Sequence, residues 1–161
     1  MAKPTTEKVT FGGRVLQRGF WLYVWEISVR NSVFLYVGRT GDSSSPNAQS
    51  PFNRMSQHLS FNERSNVLRR RLRALSVDPE RCAFRLVAHG PILKEASASE
   101  DHRRPRDITA ALEKALAVAL SEAGYNVINT VHCRTPLDDK LFANVRSAFA
   151  DEFPKLSKEH I

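Results

Sequence analysis

The residues best suited to chemistry in this chain are few and far apart. Glu113 lies in "DITAALEKALAVALSEAG" (107–124), a run with helical period. Thr109, Leu116, Ala117 and Leu120 stand three or four residues, or two turns, from it on the same side, so the carboxylate falls within or at the rim of an apolar stripe. An acid there needs a cation, a hydrogen-bond partner or a wet cleft, because a buried unpaired charge is costly. The plainer alternative is a border glutamate reaching out to water. Arg54 and His58 in "RMSQH" are four apart and share a helix face. Tyr23 and Tyr36 fall in strand-like runs, where tyrosine is commonly a packing residue. Asn126, just after Gly124-Tyr125, could serve simply as a turn residue. Each has an ordinary structural explanation alone, but the ordered set asks for a common one.

The charge balance supplies a partner for such a set. The net charge is +7 and the pI about 9.8, which favours a polyanionic partner. From residue 54 to 85 eight arginines face three acids, a local net of +5, whereas 138–160 is slightly acidic. Within that basic segment "LRRRLRAL" is an amphipathic helix pattern, with Leu68, Leu72 and Leu75 inward. Arg64, Arg69, Arg70, Arg71 and Arg73 are then candidates for nucleic-acid binding, and arginine in place of lysine suits planar contacts to phosphate. A merely solubilising face is the alternative.

The elements that must position these residues read as follows. Residues 1–18 are polar and form an arm or accessory strand. "FWLYVWEISV" (20–29) and "SVFLYVG" (32–38) are strands, and the two residues between them make an antiparallel hairpin. Residues 42–51 are a serine- and proline-rich loop, and Pro51 opens the helix "PFNRMSQHL". A second helix covers 65–76, a third strand 82–89, and 94–106 is a charged loop. Asp107 then caps the clearest helix, which Gly124 ends. Residues 125–132 are a short strand or ordered loop, and 136–153 a last helix. The expected fold is α+β, a small antiparallel sheet of about three strands flanked by helices.

In chain order, "WLYV" (21–24), "LYVGRT" (35–40), Arg-x-x-x-His at 54–58, Glu113 and Asn126 resemble the GIY-YIG nuclease family. Trp21 stands where that family has glycine and Leu22 where it has isoleucine. The resemblance spans roughly 19–130 and implies a nuclease-like domain over 19–132. Residues 1–18 are then an arm, and 133–161 carry a C-terminal helix packed on the same domain. It implies a catalytic set of Tyr23, Tyr36, Arg54, His58, Glu113 and Asn126, with Glu113 holding Mg²⁺ or Mn²⁺, a hard cation that accepts one carboxylate and keeps several waters. Tyr23 would deprotonate water with His58 as proton acceptor, and Tyr36 would orient water or phosphate. Arg54 and Arg39 would meet phosphoryl oxygens, Asn126 would brace the site, and Gly38 would let the backbone turn away.

The expected activity is metal-dependent hydrolysis of DNA phosphodiesters, DNA ahead of RNA. The alternative is a catalytically silent nucleic-acid-binding module. A homodimer is a fair expectation if both strands of a duplex are cut. No apolar run nears the ~18 residues of a membrane span, the N-terminus lacks a secretory core, and Cys82 and Cys133 lack ligand spacing. Free thiols and a cytoplasmic location are therefore expected.

Overall fold

A computed structural model describes residues 3–42, 48–95 and 99–157. The fold is α+β. Strands β1 (Phe20–Val29), β2 (Ser32–Arg39) and β3 (Ala83–Leu93) form one antiparallel sheet in the order β2-β1-β3. Four helices accompany it: α1 (Pro51–Leu59), α2 (Val67–Ala74), α3 (Ser99–Glu122) and α4 (Asp139–Ala150). No helix among the described residues is long and apolar enough to cross a membrane. Cys82 and Cys133 are free and half-buried.

The β1–β2 register pairs Leu22 with Arg39, Tyr23 with Gly38, Val24 with Val37 and Trp25 with Tyr36. Directly opposed residues share a sheet face, so the aromatic run divides cleanly in two. Leu22, Val24, Leu35 and Val37 pack with Leu112, Leu116 and Leu120 of α3 and with Val145 and Phe149 of α4. Tyr23, Trp25, Ile27 and Tyr36 face the other way, with Leu68 and Leu72 of α2 and the flanking Met55 and Leu59 of α1. β1 and the second half of β2 are thus buried on both faces, which explains their unbroken apolar runs, while β3 is half-buried along most of its length.

Several boundaries differ from expectation, α2 and α4 being shorter at both ends than the 65–76 and 136–153 expected. β3 runs on to Leu93; between Leu22 and Phe20 it advances four positions while β1 advances two, so an irregularity absorbs Gly90 and Pro91. α3 begins at Ser99, not Asp107, and carries Pro105 inside it. The charged look of that stretch hid an anchor: His102 is buried and lies against the Phe20 ring, 5.1 Å between centroids. Asp107 is therefore interior and pairs with Arg106. Of the two readings of residues 1–18 the arm holds: among the described residues it has a short 3-10 turn at Gly13–Leu16 and no strand, and Phe11 rests on Phe52 of α1. Much of the serine-rich loop over 42–51, and residues 96–98, lie outside the described residues. Gly124 ends α3 as its position suggests, with φ of 90°, a conformation that costs other residues steric strain.

Gly38 does not turn the chain. β2 continues through it to Arg39, and its role is to lack a side chain. A Cβ there would fall 2.4–2.5 Å from the Tyr23 ring and hydroxyl. Overpacking typically costs about 1–3 kcal/mol, and here the intruding atom is fixed to the backbone. Gly38→Ala should therefore lower stability in urea unfolding by about 2 kcal/mol or more. The same change made in a Tyr23→Ala background should cost clearly less, since the obstructing ring is gone.

Candidate active site

Four of the expected site residues meet on the α1 side of the sheet. Ser50 caps α1, its hydroxyl accepting the Asn53 amide at 3.3 Å, and Pro51 occupies the first turn. That start places His58 in the last turn of α1, where it is buried between the two tyrosines. Its ring stands edge-on to Tyr23 and Tyr36, at centroid distances of 5.6 and 5.2 Å. The Tyr23 hydroxyl and His58 Nε2 are 2.6 Å apart. One turn earlier, Arg54 spreads its guanidinium between Gln57 Oε1 at 3.1 Å and Asp42 Oδ2 at 3.0 Å. Its charge is also felt by Tyr23.

Glu113 approaches from α3. Its neighbours Leu112 and Leu116 are fully buried in the core, while Glu113 keeps 13% of its side chain exposed at the margin. Arg39, the last residue of β2, donates from Nε to Glu113 Oε2 at 2.8 Å. The carboxylate on the apolar stripe thus has a cationic partner within the protein. Its other oxygen, Oε1, takes no hydrogen bond from the described residues. Two arginines and two carboxylates therefore alternate around the site, paired Arg39–Glu113 and Arg54–Asp42.

Burial governs the proton affinities. It pushes the Tyr23 hydroxyl well above its ordinary value, with Arg54 pulling partly against it. It pushes Tyr36 up to about 12, helped by the Glu113 charge. Burial, with Arg54 adding repulsion, lowers His58 to about 3. At neutral pH His58 is therefore an uncharged acceptor, and the shared proton rests on the Tyr23 oxygen. Burial also raises the Glu113 carboxyl to about 7, with Arg39 opposing.

The other expected residues divide. Arg64, Arg70, Arg71 and Arg73 are exposed. Arg71 donates to the Ile128 carbonyl at 3.3 Å and its charge reaches Tyr36, which ties α2 to the site. Arg69 turns inward instead: it is buried, bonded to the Leu59 carbonyl and Glu80, and stacked on Phe61. Asn126 is exposed and contributes its backbone, accepting the Leu35 amide at 2.8 Å. Its side chain has no hydrogen-bond partner among the described residues. The bracing amide is Asn129, which takes the Val37 amide at 2.9 Å and donates to the Val37 carbonyl at 2.7 Å. Residues 126–129 run beside β2 with Leu35 opposite Val127 in parallel sense, so two residues on, Asn129 must meet Val37. Reading 125–132 as a strand alongside β2 would have found it. Asp42 and Gln57, which hold Arg54, carried no comparable signal.

Among the described residues no group of three or more His, Cys, Asp or Glu could hold a metal ion. A cation here would rest on Glu113 with water and substrate oxygens completing its shell. Comparisons with protein-family models, curated proteins and solved structures give no match.

The two displaced affinities push stability in opposite directions. His58, lowered from 6.5, contributes stability above that pH that is lost as pH falls toward 3. Glu113, raised from 4.5, contributes stability below that pH that is lost as pH rises through 7. Between 4.5 and 6.5 the slopes cancel. In His58→Gln only the Glu113 slope remains, so the stability difference between wild type and variant should shrink by about 1.4 kcal/mol per pH unit below 6.5. Urea unfolding across a pH series reads it; a difference independent of pH would mean that His58 titrates normally.

Proposed function

We propose that this chain is a divalent-metal-dependent nuclease, hydrolysing DNA phosphodiesters by a one-metal mechanism of the GIY-YIG kind. The observation that carries the reading is the buried Tyr23–His58 contact of 2.6 Å with Arg54 beside it. Any acceptor would satisfy a buried packing tyrosine; an imidazole at its hydroxyl with a guanidinium beside it is the combination that a proton transfer from water would use. The donor set suits a hard cation: a single carboxylate, still partly exposed, with one oxygen not hydrogen-bonded by described residues. Mg²⁺ or Mn²⁺ held by Glu113 would supply Lewis acidity to the scissile phosphate and stabilise the leaving oxygen.

The remaining work falls to the chain itself. Arg54, released from Asp42, neutralises charge growing on the phosphoryl oxygens, and Arg39, released from Glu113, makes a similar contact. Tyr23 takes a proton from the attacking water as its own passes to His58 Nε2. A concerted shift suits this pair, because burial penalises both a lone tyrosinate and a lone imidazolium. The imidazolium that results is offset by negative charge gathering on the phosphate. Tyr36, edge-on to the same imidazole, fixes its orientation.

The alternative, a catalytically silent nucleic-acid-binding module, draws on one observation: the Arg39–Glu113 pair already satisfies the carboxylate the metal needs. Incubation with supercoiled plasmid separates the two. Wild type should nick or linearise it in Mg²⁺ or Mn²⁺, whereas the silent module binds without cutting in either. Arg54→Ala and Tyr23→Phe should each slow cleavage by roughly 100-fold or more, and Glu113→Gln should abolish it. Undiminished cleavage by Glu113→Gln would sink the metal assignment. At limiting metal, the rate should fall by about tenfold per pH unit as Glu113 protonates below about 7.

A further inference from the structure

We propose that Phe61 is a stacking platform for an unpaired nucleobase, so that the preferred substrate carries a single-stranded or frayed stretch beside the cut. The inference rests on the nucleic-acid reading above and names the substrate class within it. Phe61 is 78% exposed and belongs to neither hydrophobic cluster. It is nonetheless held in place. The Arg69 guanidinium lies 4.1 Å from its ring centroid, and Arg69 is itself fixed, with a side chain only 8% exposed, bonded to the Leu59 carbonyl at 3.3 Å and Glu80 at 3.4 Å.

The turn that carries Phe61 is equally well tied. Ser60 Oγ accepts the Asn62 amide, Asn62 Oδ1 accepts the Arg64 amide, and the Asn62 carbonyl accepts those of Ser65 and Asn66. A ring backed by a buried cation and presented by an ordered turn loses little freedom when something stacks on it. What stacks best is another π-face. Bases stack on aromatic rings for about 1–3 kcal/mol each, whatever their identity.

Charge argues for a base over an apolar protein patch. Phe61 stands among polar residues whose charge is mainly basic: exposed Arg64, Arg70 and Arg73 with Arg69 behind the ring, against exposed Glu63 and the Glu80 paired with Arg69. That combination of one ring and several guanidinium groups matches a base with phosphates on either side. The location also fits. Phe61 follows His58 by three residues, so their Cα atoms are within about 11 Å, about three base steps at ~3.4 Å each. Within an intact duplex the base faces are covered by their neighbours, so the platform favours unpaired substrate.

Fluorescence anisotropy with a short labelled single strand and the blunt duplex of the same sequence tests this, in EDTA so that nothing is cut. Phe61→Ala should weaken single-strand binding by roughly 5- to 100-fold and leave duplex binding unchanged, with cooperative urea unfolding showing that the variant is folded although the Arg69 contact is lost. Phe61→Trp should retain wild-type affinity. Equal loss for both substrates, no loss for either, or no single-strand binding by wild type overturns the proposal. Phe61-dependent binding without cleavage in Mg²⁺ would keep it and remove the nuclease reading; plasmid cleavage with Phe61→Ala binding like wild type would do the reverse.

Discussion

A tyrosine hydroxyl and an imidazole nitrogen 2.6 Å apart, both shut away from water, join the sheet to its first helix. Neither group could be buried alone without losing a hydrogen bond to solvent, so each is the condition for burying the other. The contact constrains what surrounds it. Residue 38 must lack a Cβ for the Tyr23 ring to lie across β2. α1 must start at Ser50 and Pro51 for His58 to fall in its last turn, and Arg54 then stands one turn back beside the same hydroxyl.

The same burial makes the pair a reluctant acid and a reluctant base. Tyr23 holds its proton more tightly than a free phenol and His58 accepts one less readily than a free imidazole. At rest the two stay neutral, and only cations brought close to the tyrosine oxygen oppose this. Arg54 is the cation already there. On the other side of the site Glu113 is held near the boundary of ionisation, with burial against it and Arg39 for it. The arrangement is therefore poised: its charges are balanced in pairs, and its titrating groups are kept uncharged or nearly so by exclusion of water.

How much of this was legible depended on whether period alone could report it. The hairpin and α1 follow from alternation, a two-residue turn and a proline, and they appear close to their expected bounds; the third strand starts where alternation places it and runs on four residues past its expected end. α3 was truncated because Pro105 and a run of charges look like loop, and one buried histidine outweighs them. The placement of Tyr23, Tyr36, Arg54 and His58 on one side of the sheet follows from strand parity and helix spacing. Asn126 was a natural choice from its position after Gly124, yet its side chain points to solvent while Asn129, in register with Val37, does the bracing. Arg69 stands three residues before Leu72, at the edge of the apolar stripe, as Arg71 stands four before Leu75, so helix spacing sets both apart from Arg70 and only tertiary packing shows that Arg69 is the one turned inward. Pairings across a sheet edge or between a loop acid and a helix, such as Asp42 with Arg54, have no period to reveal them.

The two arginine–carboxylate pairs carry one more consequence, for how ionic strength acts on this surface. Arg39 and Arg54 already possess counterions, and those counterions are part of the polypeptide. A phosphate arriving at either one displaces a carboxylate that stays beside it in the molecule, so the local charge is little neutralised and few of the cations condensed on the polyanion are shed. At exposed Arg64, Arg70 and Arg73 no ion-paired carboxylate stands among the described residues, so each phosphate neutralised there sheds cations condensed on the polyanion and steepens the dependence of binding on salt. The salt slope of any polyanion that binds this protein would therefore count the exposed arginines of α2 and the turn before it, and be nearly blind to Arg39 and Arg54.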